Sequence, residues 1–303
     1  MSHRIVRLAA ALSIAGAAQA QTRDSVPEAV RSRVRVVDST RIQSVHLRDG
    51  TALIGRIVAV GIDTIRFRSS IGETGIAVRS ITRIDEAPAT ALRPNGEFWF
   101  PNPNATRLLF APTGRMLPRG SGYFSDYYII LPGVAYGATD RVTIGGGVSL
   151  VPGASTQAFW VTPKVGLYNR ERVNLAAGAL VIYIPDLDDS PGSSDQGPYG
   201  IAYGVGTWGG PDASVTAGVG YAFSNKDVSS QPVAMVGAEA RLARRVAFVT
   251  ENYVIPNFHE GPLLSYGLRF MGEQISLDLA FINVARDPIF PGAPFVGFVF
   301  NFR

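Results

Sequence analysis

The chain has 303 residues, and a few of them could carry chemistry. Three are histidines. His3 lies at the very start, and His46 sits in the alternating run Val45–Leu47. His259 stands in the polar stretch Asn257-Phe258-His259-Glu260-Gly261, with Ser265 six residues on. A serine activated by a histidine is the core of a nucleophilic hydrolase, but a triad also needs an orienting third group. No His-x-Ser pair and no Gly-x-Ser-x-Gly elbow occurs. His259 therefore reads as a solvated loop residue, with a rim lipid hydrolase as the minor alternative and no catalytic set assigned. Asp186, Asp188, Asp189 and Asp195 offer oxygen ligands of the kind Ca²⁺ takes, but without the glycine and glutamate of an EF-hand loop. A solvated acidic loop is expected there. With no cysteine and scattered histidines there is no zinc set. Gly145-Gly146-Gly147 lies inside a strand-like run and is no phosphate loop. Neither a metal nor a cofactor is implied.

Six charges remain: Lys164, Glu239, Arg241, Glu251, Arg269 and Asp278. They interrupt segments that otherwise alternate apolar with small or polar residues. Parity places all six on one face. Three bases and three acids on one face admit two readings. They line a polar pore and set its selectivity, or they neutralise one another across a narrow, filled interior. The balanced count favours the second reading. Abundant small residues on the same face (Gly145, Gly147, Gly166, Gly178, Gly204, Gly206, Gly218, Gly220, Gly267 and Gly297) keep the first open.

The elements that must position these charges are strands. Twelve segments are expected: 106–111, 124–137, 142–151, 158–168, 173–184, 200–209, 214–223, 233–242, 246–255, 263–272, 275–284 and 295–302. Segments of about 9–11 residues suit a tilted transmembrane strand. In the third, Val142, Ile144, Val148 and Leu150 oppose Thr143, Gly145, Gly147 and Ser149. In the eleventh, Ile275, Leu277, Leu279 and Phe281 oppose Ser276, Asp278 and Ala280. The apolar face must meet lipid, because the other carries the charges. Short connections (138–141, 169–172, 210–213, 243–245, 272–274) alternate with longer ones (112–123, 152–157, 185–199, 224–232, 256–262, 285–294). Short periplasmic turns, long outer loops and an even strand number describe an outer-membrane barrel. An even number puts both ends of the barrel sequence in the periplasm. Tyr123, Tyr127, Tyr128, Tyr168, Tyr183, Tyr199, Trp208 and Tyr253 lie near segment ends, as in aromatic girdles.

Ahead of the barrel, residues 1–20 read as a secretory signal peptide. Arg4 and Arg7 precede the apolar run Leu8–Ala18, and Ala18-Gln19-Ala20 is the cleavage site. Residues 21–43 form a polar lead-in. Residues 44–86 carry five short strand-like runs with turns at Asp49-Gly50 and Gly72. Residues 87–105 are a Pro- and Asn-rich linker. Within it, Phe98, Trp99 and Phe100 are read either as membrane-interface rings or as packing on the small domain.

The formal charge is +4, from 28 basic and 24 acidic residues. Without Arg4 and Arg7 it is 26 against 24, or +2: residues 21–96 carry +4 (12 basic, 8 acidic) and residues 97–303 carry −2 (14 basic, 16 acidic). The barrel region shows no concentrated basic face, so no nucleic-acid partner is expected. After the leader no apolar run is long enough for a membrane helix. An exported chain without cysteine has no disulfides, so hydrogen bonding and packing must hold it.

Residues 44–86 resemble the Sm-like small-barrel fold in Leu47, Asp49-Gly50-Thr51, Leu53, Gly55, Ile57, Ile65, Phe67, Val78 and Ile81–Ile84. The likeness implies a closed five-stranded barrel, here read as a periplasmic docking or plug-like module, with plain packing against the larger barrel as the alternative. The closing run Phe298-Val299-Phe300-Asn301-Phe302-Arg303 is similar to the last strand of bacterial outer-membrane barrels, which ends on an aromatic residue recognised by the barrel-assembly machinery. Here Arg303 follows that residue. The stretch Asn102–Arg107, with Phe110–Thr113 and Gly120–Phe124, looks like the barrel start of exported proteins of environmental bacteria. These likenesses imply a topology and no activity.

The expectation is an all-β chain: a small Sm-like domain, then an antiparallel transmembrane barrel of about twelve strands in the outer membrane of a Gram-negative-type bacterium. Its partners would be outer-membrane lipid, the assembly machinery and a periplasmic or envelope protein. Its role would be a small-solute channel or envelope structural protein, or a non-conducting anchor for the small domain.

Overall fold

The computed structural model describes residues 28–302 except 171, 186–197 and 226. The expected signal peptide, with His3, and the acidic cluster Asp186–Asp195 lie outside the described residues. The chain forms two compact units, Met1–Phe98 and Trp99–Arg303.

In the first unit, α1 (Glu28–Arg31) precedes β1 (Arg41–Leu47), β2 (Ala52–Val60), β3 (Thr64–Ser69), β4 (Gly72–Ala77) and β5 (Ile81–Pro88). The antiparallel sheet runs β4-β3-β2-β1-β5. Alternate residues of each strand face one core of Val45, Ile57, Ile65, Phe67, Ile76, Ile81 and Ile84, which Val30 of α1 joins. Gly50 turns the first hairpin at φ +87°, and the Asp49 carboxylate accepts the Thr51 N–H at 2.9 Å. Two expectations change. Strands β1 and β5 extend into the presumed lead-in and linker, because Ile42 and Ala87 are buried as well. The sheet also stays open, with β4 and β5 as edges, so the closed small barrel does not form.

The second unit is a closed antiparallel barrel of twelve strands. In order they are β6 (Gly122–Tyr127), β7 (Leu131–Thr139), β8 (Val142–Val148), the halves β9 (Phe159–Val161) and β10 (Lys164–Asn169) of one crossing, β11 (Val173–Tyr183), β12 (Tyr199–Gly209) and β13 (Ala213–Ser224). After the two-residue β14 (Asp227–Val228) come β15 (Val233–Ala243), β16 (Val246–Val254), β17 (Leu263–Met271), β18 (Ile275–Val284) and β19 (Ala293–Phe302). Strand β19 pairs with β6 from Phe302↔Gly122 to Gly297↔Tyr127, which closes the barrel.

The count agrees with the expectation through two compensating differences. Residues 106–111 are not a barrel strand. They form a lumenal hairpin with a single bridge, Arg107↔Pro112. The segment expected at 124–137 is two strands, β6 and β7, joined by a three-residue turn. There Tyr128 (φ 56°) and Ile129 (φ 66°) adopt the left-handed region without glycine. Residues 112–123 are accordingly no outer loop, and the first connection at that end is the shortest there. Strand β6 still starts, and β19 still ends, at the short-turn end.

The outward faces are apolar and exposed, for example Val134, Ile144, Leu167, Val215, Val236, Leu268, Leu279 and Val296. Among the described residues no Lys, Arg or Glu occupies an outward strand position. Asp126, beside the tight turn, accepts the Leu131 N–H at 3.1 Å. Exposed rings gather toward the long-loop end (Tyr128, Phe159, Tyr183, Tyr221, Tyr266) and toward the short-turn end (Tyr136, Tyr168, Trp208, Phe270, Phe302). Tyr127 and Tyr253, expected in the girdles, instead pack inward on the barrel core. Gly204 and Gly206 share the outward parity of Trp208, whose ring covers Gly206.

Candidate functional site in the barrel lumen

The segment 99–121 runs into the lumen, turns back and leads into β6. At its entrance the rings of Trp99 and Phe100 lie 5.0 and 4.9 Å from the Arg241 guanidinium. Arg241 Nη1 donates to the Phe100 carbonyl at 2.7 Å and lies 3.7 Å from Asp212. Phe100 is buried at 3% exposure, so it is no interface residue. At the exit, Arg115 Nη2 donates to the Gly210 carbonyl at 2.7 Å, and the Arg119 N–H reaches Asp140 at 2.9 Å. All these wall partners belong to the short-turn end.

The turn of the hairpin is held by one carboxylate. Glu251 Oε2 accepts the backbone N–H groups of Leu109, Phe110 and Ala111 at 2.8, 3.1 and 3.0 Å. Its Oε1 accepts the Tyr253 hydroxyl at 2.7 Å. A carboxylate inside a low-dielectric wall is stable only when so saturated. Leu108 and Leu109 join Ala176, Val205, Met235, Val249, Ala280 and Phe295 in the barrel core. Gly237 of the wall leaves the space that Leu108 fills, and Gly114 lies so close to the Asn174 carbonyl that a side chain there would collide.

Arg269 is the centre of the charged layer and is fully buried. Its Nε and Nη2 grip Asp278 at 2.7 and 2.9 Å. Nη1 meets Glu239 at 2.7 Å, and Nη2 also donates to the Leu108 carbonyl at 2.7 Å. Asn102 donates to Glu239, and the Asn104 amide lies 3.4 Å from Asp278. Lys164 Nζ donates to the carbonyls of Thr106, Thr113 and Arg115 at 3.4, 3.2 and 2.8 Å. All six charges identified from sequence thus point inward, and each bonds segment 99–121 or a partner of it. Parity could find the wall positions. It could not find what they hold, because the hairpin's own apolar run imitates a strand.

One cation belongs to the hairpin itself, where no strand parity marks it. Arg107, 4% exposed, donates from Nε to Asn104 at 3.0 Å and from Nη1 to the Tyr127 hydroxyl at 2.7 Å. Its guanidinium carbon lies 4.9 Å from the Tyr127 ring centre. Above the hairpin, toward the long loops, opens a cavity of about 650 Å³. Arg107, Phe110, Ala111 and Pro112 face it from the hairpin, and the strand walls are mainly apolar.

His259 and Ser265 are not joined by a hydrogen bond among the described residues. The buried Ser265 hydroxyl donates to the Glu251 carbonyl, while His259 is exposed and its carbonyl accepts from Arg286 at 2.6 Å. No group of three or more metal-ligating side chains occurs among the described residues.

No family model and no curated protein matches the chain. Solved structures do. A KdgM porin in complex with disordered oligogalacturonate is 9% identical, with a TM-score of 0.44, over 60% of this chain and 98% of that one. A NanC porin is 10% identical, with a TM-score of 0.37, over 60% of this chain and 97% of that one. The outer membrane protein Omp33 of Acinetobacter baumannii is 7% identical, with a TM-score of 0.37, over 60% of this chain and 95% of that one.

Proposed function

We propose that this chain is an outer-membrane barrel that is closed at rest by its own segment 102–118 and serves as a non-conducting envelope anchor. The observation that carries the reading is the Glu251 carboxylate seated on three consecutive amides at the hairpin turn. Such a contact holds backbone, not solute. The charge layer has the same character: Arg269, Glu239 and Asp278 bond to one another and to the hairpin. The apolar outward belt with ring clusters at both ends supports placement in a bilayer. Short turns at the end where β6 starts support a periplasmic position for the unit that precedes the barrel.

Liposome swelling tests the closed state. Full-length protein, folded by heat-modifiable migration, should admit no small sugar. Swelling at the rate of an open porin would overturn the reading. Removal of residues 28–98 should leave the barrel assembled and abolish co-purification with envelope proteins. Retained co-purification would remove the anchor role.

A further inference from the structure

A barrel that passes polar solutes has a polar interior. On the long-loop side of the hairpin this lumen is apolar instead. Leu131, Trp160, Leu180, Ile182, Ile201 and Val233 lie on the inward parity in the long-loop half of their strands, and all six line the cavity. Strand register makes them neighbours: Trp160 stands opposite Ile182, and Leu180 opposite Ile201. Each is only half-buried, so hydrocarbon surface stays open on the inside of the wall. Trp160 lies across the inner face over Gly147, whose missing side chain makes the room.

Charge reaches this space only beside the hairpin. Among the described lining residues Arg107 and Lys164 alone are ionic, and no acid is present. Lys164 commits its three protons to hairpin carbonyls, and Arg107 donates to Asn104 and Tyr127. The Tyr253 hydroxyl is spent on Glu251. Water gains little against such walls, and apolar cavities take apolar guests. A volume of about 650 Å³ falls within the range of about 300–1,000 Å³ usual for small-molecule sites. The rings of Phe110, Tyr127, Trp160 and Tyr203 line it too, and they offer edge and face contacts to a ring in the guest.

We propose that the cavity binds an uncharged, ring-bearing hydrophobic small molecule. A sugar or an ion would exchange its water for hydrocarbon there. An apolar guest covers the open faces of Trp160, Leu180, Ile182 and Ile201 and leaves the bonded groups of the hairpin undisturbed. This role goes beyond anchoring. Closure below the cavity and binding within it are read by separate experiments, conductance for one and probe binding for the other.

The test uses the full-length protein in phosphatidylcholine nanodiscs, its fold checked by heat-modifiable migration. Of the three tryptophans, Trp99→Phe and Trp208→Phe leave Trp160 as the reporter. The probe is uncharged N-phenyl-1-naphthylamine, set against its sulfonated analogue. Energy transfer from Trp160 should saturate at one equivalent of the probe, and the sulfonate should bind at least tenfold more weakly. Gly218 lines the cavity, and an added Cβ there meets nothing closer than 3.3 Å. Gly218→Leu should therefore fill the site and weaken the probe at least tenfold, while outward Val236→Leu should leave it unchanged. Transfer that rises without saturating, equal affinity for the sulfonate, or full binding by folded Gly218→Leu protein would overturn the proposal. If Gly218→Leu fails to fold, Ile201→Asp, which puts a charge on the wall, takes its place. If neither folds, saturation and the sulfonate comparison in the parent protein decide.

Discussion

Glu251→Gln isolates what holds the hairpin shut. The carboxylate accepts three backbone N–H groups at 2.8–3.1 Å through one oxygen and the Tyr253 hydroxyl at 2.7 Å through the other. A glutamine keeps one carbonyl oxygen and presents an NH₂ where an acceptor stood. At least one bond to a charged acceptor is therefore lost, at about 1.5–3 kcal/mol. Since about 1.4 kcal/mol is tenfold, the open population of the hairpin should rise roughly tenfold to a little over a hundredfold. The chain has no cysteine, so Leu109→Cys, at a site 1% exposed in the closed state, gives a single reporter. Maleimide labelling of Leu109→Cys should be at least tenfold faster when Glu251→Gln is added. Equal rates in the two backgrounds would refute the assignment of Glu251 as the clasp.

Arg269→Met leaves Asp278 and Glu239 buried without their cation. The barrel should lose about 3–5 kcal/mol in urea unfolding from lipid vesicles, and an unchanged midpoint would contradict the network. Leu279→Arg puts a charge on the outward face. It should cost about 2–4 kcal/mol in a bilayer, and a neutral effect would argue against lipid there. In the first unit, the hydrogen bond from Arg35 at 3.0 Å, followed by its charge, holds the Glu86 carboxyl below the usual carboxylate range. A depressed value contributes stability that is complete above about pH 4.3, the unfolded-state figure. That stability is lost as pH falls through the lower folded-state value. Hydrogen exchange of β1 and β5 should thus rise more steeply below about pH 4 in the native chain than in Arg35→Gln; identical profiles would remove the coupling.

The barrel was legible because period-two alternation reports a wall whose two sides differ, apolar outside and small or polar inside. In β8, β13 and β18 the apolar parity predicted the outward face directly. Two elements misled for physical reasons. Leu108-Leu109-Phe110-Ala111 is apolar because it packs on the inside of the barrel rather than forming part of its outer face. Composition does not separate those two environments. Its six residues fall short of the ~9–11 needed to cross, and Arg107 within it was the sign of an interior position. The β6–β7 turn carries no glycine or proline signal, since Tyr128 and Ile129 take positive φ themselves. That conformation costs roughly 1–2 kcal/mol per residue and is borne only because the paired strands fix it. The six lumenal charges were placed by parity, but their partners come from a segment far off in sequence. The loss of 106–111 and the splitting of 124–137 cancelled in the strand count.

Single-channel recording in planar bilayers tests the central claim, that the lumen is closed by the chain's own hairpin. The full-length protein should be silent. A variant with residues 103–117 replaced by a short glycine–serine link, shown folded by heat-modifiable migration, should open steady conducting steps. A conducting full-length barrel, or a folded variant that stays silent, would contradict the account.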